Sequence, residues 1–163
     1  MRREDRLEYE WLFRAAYPRV FHTVALILRD RTLAEDVTQE AFLKLLQKWR
    51  TVSDYEQPDA WVRRVAIRLA VRQVQRDAGR RGRERALDPP PPPAEPDVDL
   101  ANAVALLAPM QRASVVLYYF DDLPVAEIAR VLVVSESTVK QHLHRARARL
   151  ADLLQEEVSD HVD

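Results

Sequence analysis

Basic side chains are concentrated in two short stretches of this chain, and the stretch nearer the C-terminus has the periodicity of a helix. Residues 137–151 contain one lysine, three arginines and two histidines but no acidic residue. Apolar residues recur there at spacings of three and four, which places them on one helical face and most basic side chains on the other. These apolar residues are Val139, Leu143, Ala146 and Leu150. A helix with one cationic face is suited to bind a polyanion.

A shorter helical pattern precedes this cationic helix, and only a few residues separate the two. A short helix, a tight turn and a basic second helix predict a helix-turn-helix, whose second helix enters the major groove of DNA. Side chains early in such a helix reach base edges, and later ones contact phosphates. Base contacts are predicted for Ser137, Thr138, Lys140, Gln141 and His144. Phosphate or structural contacts are predicted for Arg145, Arg147 and Arg149. Gln141 is the strongest candidate because its amide pairs bidentately with adenine.

The second basic stretch contains a stripe of arginines at helical spacing. Its members follow one another in steps of four: Arg64, Arg68, Arg72 and Arg76. A stripe of one sign repels itself unless a polyanion is present, so the pattern favours contact with nucleic-acid phosphates over an ordinary solvated face. Tyr55 and Trp61 lie at the start of the stripe, and aromatic rings beside a basic surface suit the stacking of unpaired bases. Trp61 taken alone fits a core position equally well.

A helix predicted from Thr32 to about Trp49 has an uneven surface. Its buried side is predicted to consist of Val37, Ala41, Phe42, Leu45 and Trp49. Another side carries five residues that project together at 100° per residue: Asp36, Gln39, Glu40, Leu43 and Gln47. An apolar leucine among polar neighbours is typical of a partner-binding face. An ordinary solvated face with one exposed leucine is the alternative.

The composition excludes several classes of protein. The chain has 163 residues, two glycines and no cysteine, and no alternating strand pattern runs far, so we predict an all-α fold. The four histidines are scattered without metal-ligand spacing. We therefore expect no catalytic residues, no metal and no cofactor. Neither a signal peptide nor an apolar run of membrane-spanning length is present, so we expect no membrane span and a cytoplasmic protein.

A proline-rich segment divides the chain. Residues 87–100 contain five consecutive prolines and four acidic residues without a base, which predicts an extended, semi-rigid linker. We therefore predict two small helical domains, residues 1–86 and 101–163, joined by this acidic linker. The net charge of −1 is an average over a basic first domain and acidic later parts, so it does not argue against nucleic acid.

Local signals predict the helices of the first domain. A first helix is expected from Glu4 to Leu28, kinked or split at Pro18. A second is expected to start at Thr32 with a capping box to Glu35. Residues 51–59 are predicted as a loop, and the last helix is expected to run from Ala60 until Gly79 and Gly82 end it.

Three segments in order resemble a bacterial RNA polymerase sigma factor of the sigma-70 family, most of all its small extracytoplasmic-function (ECF) type. They read DVTQEAFLKLLQKW, AWVRRVAIRLAVRQ and LPVAEIARVLVVSESTVKQHLHRARARL, and the resemblance covers about residues 8–154. It implies partners: core RNA polymerase, through the clamp helices of the largest subunit and the flap, promoter DNA, and an anti-sigma factor.

The resemblance also implies a role for each surface. The face with Asp36, Gln39, Glu40 and Leu43 would dock on core polymerase. Residues 51–59 and the following helix, with Tyr55, Trp61 and the arginine stripe, would melt and recognise the −10 element by capturing a flipped base. The helix-turn-helix would recognise the −35 element. The linker would thread through the polymerase.

Two positions depart from the family pattern. Arg68 stands where members often carry an asparagine that helps to line the flipped-base pocket, and arginine has no acceptor with which to replace the amide. Val133 stands where the turn usually has glycine. A β-branched residue is unfavourable at positive φ, so either the turn avoids that conformation or it costs about 1 kcal/mol or more.

Other classes of protein remain as alternatives. A helix-turn-helix repressor or response regulator would need a receiver or ligand domain, and residues 1–86 show no strand–helix alternation. An adaptor that docks on polymerase without recognising DNA is a second alternative. An enzyme is a third, and it finds no support in the scattered histidines.

Overall fold

The structure, a computed structural model, describes residues 1–84 and 100–160. Within those ranges every regular element is helical and no strand occurs, which confirms the predicted all-α class. Packing divides the chain into two compact units, Met1–Gln73 and Val74–Asp163. The predicted linker lies outside the described residues except for Leu100, so the domain boundaries at 86 and 101 remain a prediction.

The first unit begins with two long helices, α1 (Arg3–Leu28) and α2 (Arg31–Gln47), which pack against each other. Of the kink or split predicted at Pro18, the split is wrong, because α1 continues through that residue. Proline removes one backbone donor, here the partner of the Arg14 carbonyl. Both residues are exposed, so water can satisfy that carbonyl, while Leu12 and Val20 on either side are buried in the core.

The connection between α1 and α2 is a two-residue turn with a cap on each side. Arg29 adopts the left-handed conformation (φ 59°), and its N–H donates to the Ala25 carbonyl at 2.8 Å. The Asp30 carboxylate accepts a hydrogen bond from the Leu33 N–H at 3.0 Å. The prediction that Thr32 caps this helix is therefore wrong. Asp30 already satisfies the free donor, and α2 starts at Arg31, one residue earlier than predicted.

The core between α1 and α2 is rich in aromatic rings. Phe42 lies at ring-centroid distances of 4.9 Å from Phe13 and 5.5 Å from Tyr17. The Tyr9 hydroxyl donates to the Phe42 carbonyl at 2.9 Å, and burial raises the pKa of this tyrosine. Trp49 lies edge-on to Tyr9 at 5.4 Å. All five residues predicted for the buried side of the second helix are buried, which confirms that prediction, although Trp49 lies in the next helical turn and not in α2.

Two helices follow α2. A single turn, α3 (Trp49–Val52), occupies the start of the predicted loop, which is therefore wrong at Thr51 and Val52. The long α4 (Pro58–Glu84) begins with proline, a residue favoured in the first helical turn. It passes through both glycines, so the predicted termination at Gly79 is wrong. Glycine ends a helix when it adopts positive φ, and no described glycine does so.

The second unit contains the predicted helix-turn-helix. After α5 (Leu100–Ala105) and α6 (Pro109–Val115) comes a π-helical turn, Val116–Phe120. The pair α7 (Val125–Leu132) and α8 (Glu136–Asp160) is separated by only three residues, which confirms the prediction. Helix α8 packs on α5, α6 and α7. Val139, Leu143 and Ala146 are buried as predicted, and Leu150 is half-buried.

The turn between α7 and α8 adopts the strained conformation. Val133 has φ 57° and ψ 48°, in the left-handed region, and its side chain is 86% exposed. The turn therefore does not avoid positive φ at Val133, so of the two expectations the one with an energetic cost applies. The exposed isopropyl group gains no packing there to offset the backbone strain.

Within the described ranges, no helix is long and apolar enough to span a membrane.

Candidate nucleic-acid interface

Helix α8 begins with a network of hydroxyl groups. The Ser135 Oγ accepts from the Thr138 N–H at 3.1 Å and lies 2.8 Å from the Thr138 hydroxyl and 3.1 Å from the Ser137 hydroxyl. This cap fixes the start of the helix. It also occupies the hydroxyls of two predicted base-contacting residues, and Thr138 is half-buried. Ser137 and Thr138 are therefore less available to DNA than the sequence suggested.

The outward face of α8 carries the remaining predicted base-contacting residues. Lys140, Gln141 and His144 are exposed and make no hydrogen bond or ion pair with any other described side chain. Gln141 lies opposite the buried face formed by Val139 and Ala146, since one residue advances about 100° around a helix. The structure brings these three residues together on one surface, as predicted.

One histidine of α8 differs from the other basic residues. His142 is half-buried on the flank of the helix. Burial, and secondarily the charge of Arg145, lowers the pKa of His142 below its ordinary value. His142 therefore adds less positive charge to α8 at neutral pH than an unburied histidine would.

Arg147 makes contacts that the sequence did not predict. Its Nε–H donates to the Tyr119 hydroxyl at 2.7 Å, and its guanidinium lies 5.8 Å from the Tyr118 ring centroid and 5.6 Å from that of Tyr119. Both tyrosines belong to the π-helical turn. Arg145 is also exposed but has no such aromatic partner among the residues that the structure describes. Two adjacent tyrosines in the apolar run VVLYYF were the available signal, but their partner is 28 residues away in sequence.

The arginine stripe lies along α4 as predicted. All four members are exposed: Arg64, Arg68, Arg72 and Arg76. Tyr55, in the loop before α4, is 47% exposed, whereas Trp61 is half-buried. The structure therefore leaves the Tyr55 ring available for stacking, whereas the Trp61 side chain is partly buried in the core and partly exposed at the surface.

The polar patch on α2 is also at the surface. Asp36, Gln39 and Glu40 are exposed, and Leu43 is 53% exposed beside them. Glu40 forms an ion pair with Lys44 at 3.6 Å. Leu46, which the sequence reading left out, is 37% exposed and extends the apolar part of this patch.

The first unit also contains a groove that was not predicted from the sequence. It has a volume of about 810 Å³ and lies between α1 and the segment that joins α3 to α4. Leu7 and Trp11 of α1 line it and are 59% and 74% exposed. An exposed apolar stripe beside a groove is typical of a surface that contacts another protein. The spacing of Leu7 and Trp11, four residues apart, is the feature of the sequence that could have indicated this surface.

Among the described residues, no three histidine, cysteine or acidic side chains come together as metal ligands would.

Comparison with known proteins now gives these surfaces a context. The family model for sigma-70 region 2 matches residues 12–81, and the model for sigma-70 region 4 matches residues 97–150. The chain is 30% identical over 162 residues to the RNA polymerase sigma-E factor of Streptomyces antibioticus, covering 91% of this chain and 86% of that protein. It is 31% identical over 152 residues to the ECF RNA polymerase sigma factor SigK of Mycobacterium ulcerans, covering 83% and 80%.

A solved structure shares the fold. The sigma factor RpoE of Bartonella quintana, determined in complex with the anti-sigma factor NepR, superposes with a TM-score of 0.67 at 19% identity and covers 91% of this chain and 97% of that one. The chain belongs to the sigma-70 family, is of its extracytoplasmic-function type, and is a sigma factor that directs promoter-specific transcription.

Proposed function

We propose that this sigma factor divides its work among three surfaces: α8 recognises the −35 element, α4 with the preceding loop melts the −10 element, and the α2 patch docks on core polymerase. The observation that carries the proposal is the outward face of α8. Lys140, Gln141 and His144 project from one capped helix without partners among the described side chains. Such a surface suits contact with base edges in a major groove.

The role of α4 rests on its exposed charge. Four arginines at one helical spacing suit the phosphates of a separating strand, and the exposed Tyr55 ring can stack on an unpaired base. Arg68 supplies only donors, so it suits a phosphate better than the paired contacts of an asparagine. We therefore expect the base preference at −10 to differ from that of members with asparagine there.

The protein partners rest on two exposed surfaces. The α2 patch combines acidic side chains with Leu43 and Leu46, which suits docking on the clamp helices of the largest polymerase subunit. The second unit would also contact the flap. An anti-sigma factor would be a further partner, and the exposed Leu7 and Trp11 support an additional protein contact. The protein would act in the cytoplasm and have no catalytic activity of its own.

The test is DNA binding and melting by the reconstituted holoenzyme. Core polymerase with this chain should shift a promoter fragment in a gel and make thymines near −10 reactive to permanganate. Core polymerase alone should do neither. If the chain bound polymerase tightly but left promoter selectivity and thymine reactivity unchanged, it would be an adaptor and the proposal would be wrong. Sequence-specific binding by the chain alone, with no effect of polymerase, would instead indicate a repressor.

A further inference from the structure

We propose that Tyr119 and Arg147 together form a binding site for one phosphodiester group of the promoter backbone, beside the base-recognising face of α8. This inference rests on the proposed docking of α8 at the −35 element. It adds a residue outside the helix-turn-helix, Tyr119 of the π-helical turn, to the DNA-binding surface.

The first observation is the way in which the arginine is held. The Tyr119 hydroxyl accepts a hydrogen bond from Arg147 Nε at 2.7 Å. The guanidinium lies 5.8 Å and 5.6 Å from the ring centroids of Tyr118 and Tyr119, and the two rings are edge-to-face at 4.9 Å. An arginine side chain is ordinarily mobile, and holding it before binding reduces the entropy lost when the ligand arrives.

The second observation concerns the donors that remain. The Nε–H is occupied by Tyr119, so the four N–H groups of the terminal nitrogens are left for a ligand. No carboxylate among the described residues forms an ion pair with Arg147. Because the phenol oxygen accepts from Arg147, its own hydrogen is free to be donated. Phosphate oxygens match such a fork of donors, and they carry the opposite charge.

The third observation is position on the helix. Arg147 follows Lys140 by seven residues, about two helical turns, so both lie on the same flank of α8. His144 lies between this flank and the outward centre, which Gln141 occupies, and Arg145 and Arg149 lie on the opposite flank. A helix in the major groove has a phosphate chain on each side, and a residue on a flank meets phosphates rather than base edges.

Exposure fits a site that a ligand can reach. Tyr119 is 51% exposed, and Arg147 is exposed as well. The π-helical turn places the tyrosine beside α8, with the Asp121 N–H donating to the Val116 carbonyl at 3.2 Å. Such single π-helical turns are frequent at functional sites.

The test is a scan of the DNA backbone with methylphosphonate, which replaces one charged phosphate by a neutral group. The full chain is reconstituted with core polymerase, and the probe is a promoter fragment whose start site has been mapped. Substitution at one phosphate bordering the −35 element should weaken the wild-type holoenzyme about tenfold. The Arg147→Gln holoenzyme should bind unmodified DNA about tenfold more weakly and show no further loss at that phosphate. Its salt dependence should fall by about one phosphate contact.

Two further variants separate the tyrosine from the charge. Tyr119→Phe keeps the ring but removes the hydroxyl, so it should weaken binding a few-fold in the wild-type background and have no effect when combined with Arg147→Gln. Arg149→Gln removes the same charge from the opposite flank. It should retain full sensitivity to the methylphosphonate that Arg147 recognises.

The inference would be overturned if Tyr119 and Arg147 served only to stabilise the fold. If Arg147→Gln lowered the melting temperature and retained the tenfold sensitivity at that phosphate, the pair would be a structural contact between the π-helical turn and α8 and would not bind phosphate. A wild-type holoenzyme that failed to bind any promoter would instead contradict the proposed function. The two failures are therefore distinguishable.

Discussion

Gln141 is the residue on which sequence recognition by α8 depends most in this account. It is exposed at the outward centre of the helix and has no partner among the described side chains. Gln141→Ala should relax preference at one base pair of the −35 element, since a bidentate amide contact contributes about 1–3 kcal/mol of discrimination. Transcription from promoter variants measures this. Equal weakening on every variant would show that Gln141 makes no base contact.

Val133 stores strain that a single substitution can release. A β-branched residue in the left-handed conformation costs about 1–2 kcal/mol. Glycine removes this strain, but part of the gain in stability is offset because glycine raises the conformational entropy of the unfolded chain. Val133→Gly should therefore raise the free energy of unfolding by up to about 1 kcal/mol, as measured by denaturant titration. The neighbouring Val134, which has no positive φ, is the control, and Val134→Gly should destabilise. A loss of stability in Val133→Gly would contradict the assigned strain.

His142 should make the second unit sensitive to acid. Its pKa is lowered from the ordinary 6.5 by burial and by Arg145, so the unfolded chain binds the proton more readily than the folded chain. As the pH falls from above the pKa of the unfolded chain's histidine to below that of the folded chain's, the contribution of His142 to stability becomes unfavourable. The melting temperature of His142→Gln should fall less between pH 7.5 and 5.5 than that of the wild type. Arg145→Gln should reduce the effect in part, and identical pH profiles in all three proteins would refute the assignment.

Among the elements, α2 shows how a single helix serves two purposes. Its buried side holds the aromatic core, while Asp36 and Glu40 project into solvent. Charge reversal at both positions, Asp36→Lys with Glu40→Lys, should weaken binding to core polymerase at least tenfold. Exposed substitutions usually change stability by under about 0.5 kcal/mol, so the melting temperature should stay nearly the same.

A matched control exists on α1. Glu10 is exposed and pairs with Arg6 at 3.7 Å, much as Glu40 pairs with Lys44 at 3.6 Å. Glu10→Lys should leave polymerase affinity unchanged. If the α2 reversals unfolded the protein, or weakened binding no more than Glu10→Lys, the docking role would be lost.

Periodicity predicted the helices well and their ends poorly. The buried side of α2 and the helix-turn-helix follow from spacing, because burial of an apolar face dominates helix packing. Smaller contributions to the free energy decide the remaining details. The start of α2 depends on one cap, the course of α1 through Pro18 on one missing donor, and the course of α4 through Gly79 on one flexible residue. Tertiary packing outweighs such terms, so the sequence alone did not decide them.

At the scale of the whole molecule, the net charge of −1 conceals surfaces of opposite sign. The basic surfaces lie along α4 and α8, and the acidic patch lies on α2. The sequence predicted all three surfaces because each lies within one helix. It did not predict the contact of Tyr119 with Arg147 or the groove beside Trp11, since both join segments that are distant in sequence. A local pattern can mark one side of such a contact, such as the two adjacent tyrosines, but it does not identify the distant segment that forms the other side.

Mapping of transcription start sites in a reconstituted reaction tests the central claim most directly. Core polymerase and genomic DNA fragments are incubated with and without this chain, and the 5′ ends of the transcripts are determined. We expect a small set of new start sites that share one sequence near −35 and another near −10. With Gln141→Ala in place of the wild type, the shared −35 sequence should become less restricted at one base pair. Identical start sites with and without the chain would contradict the central claim.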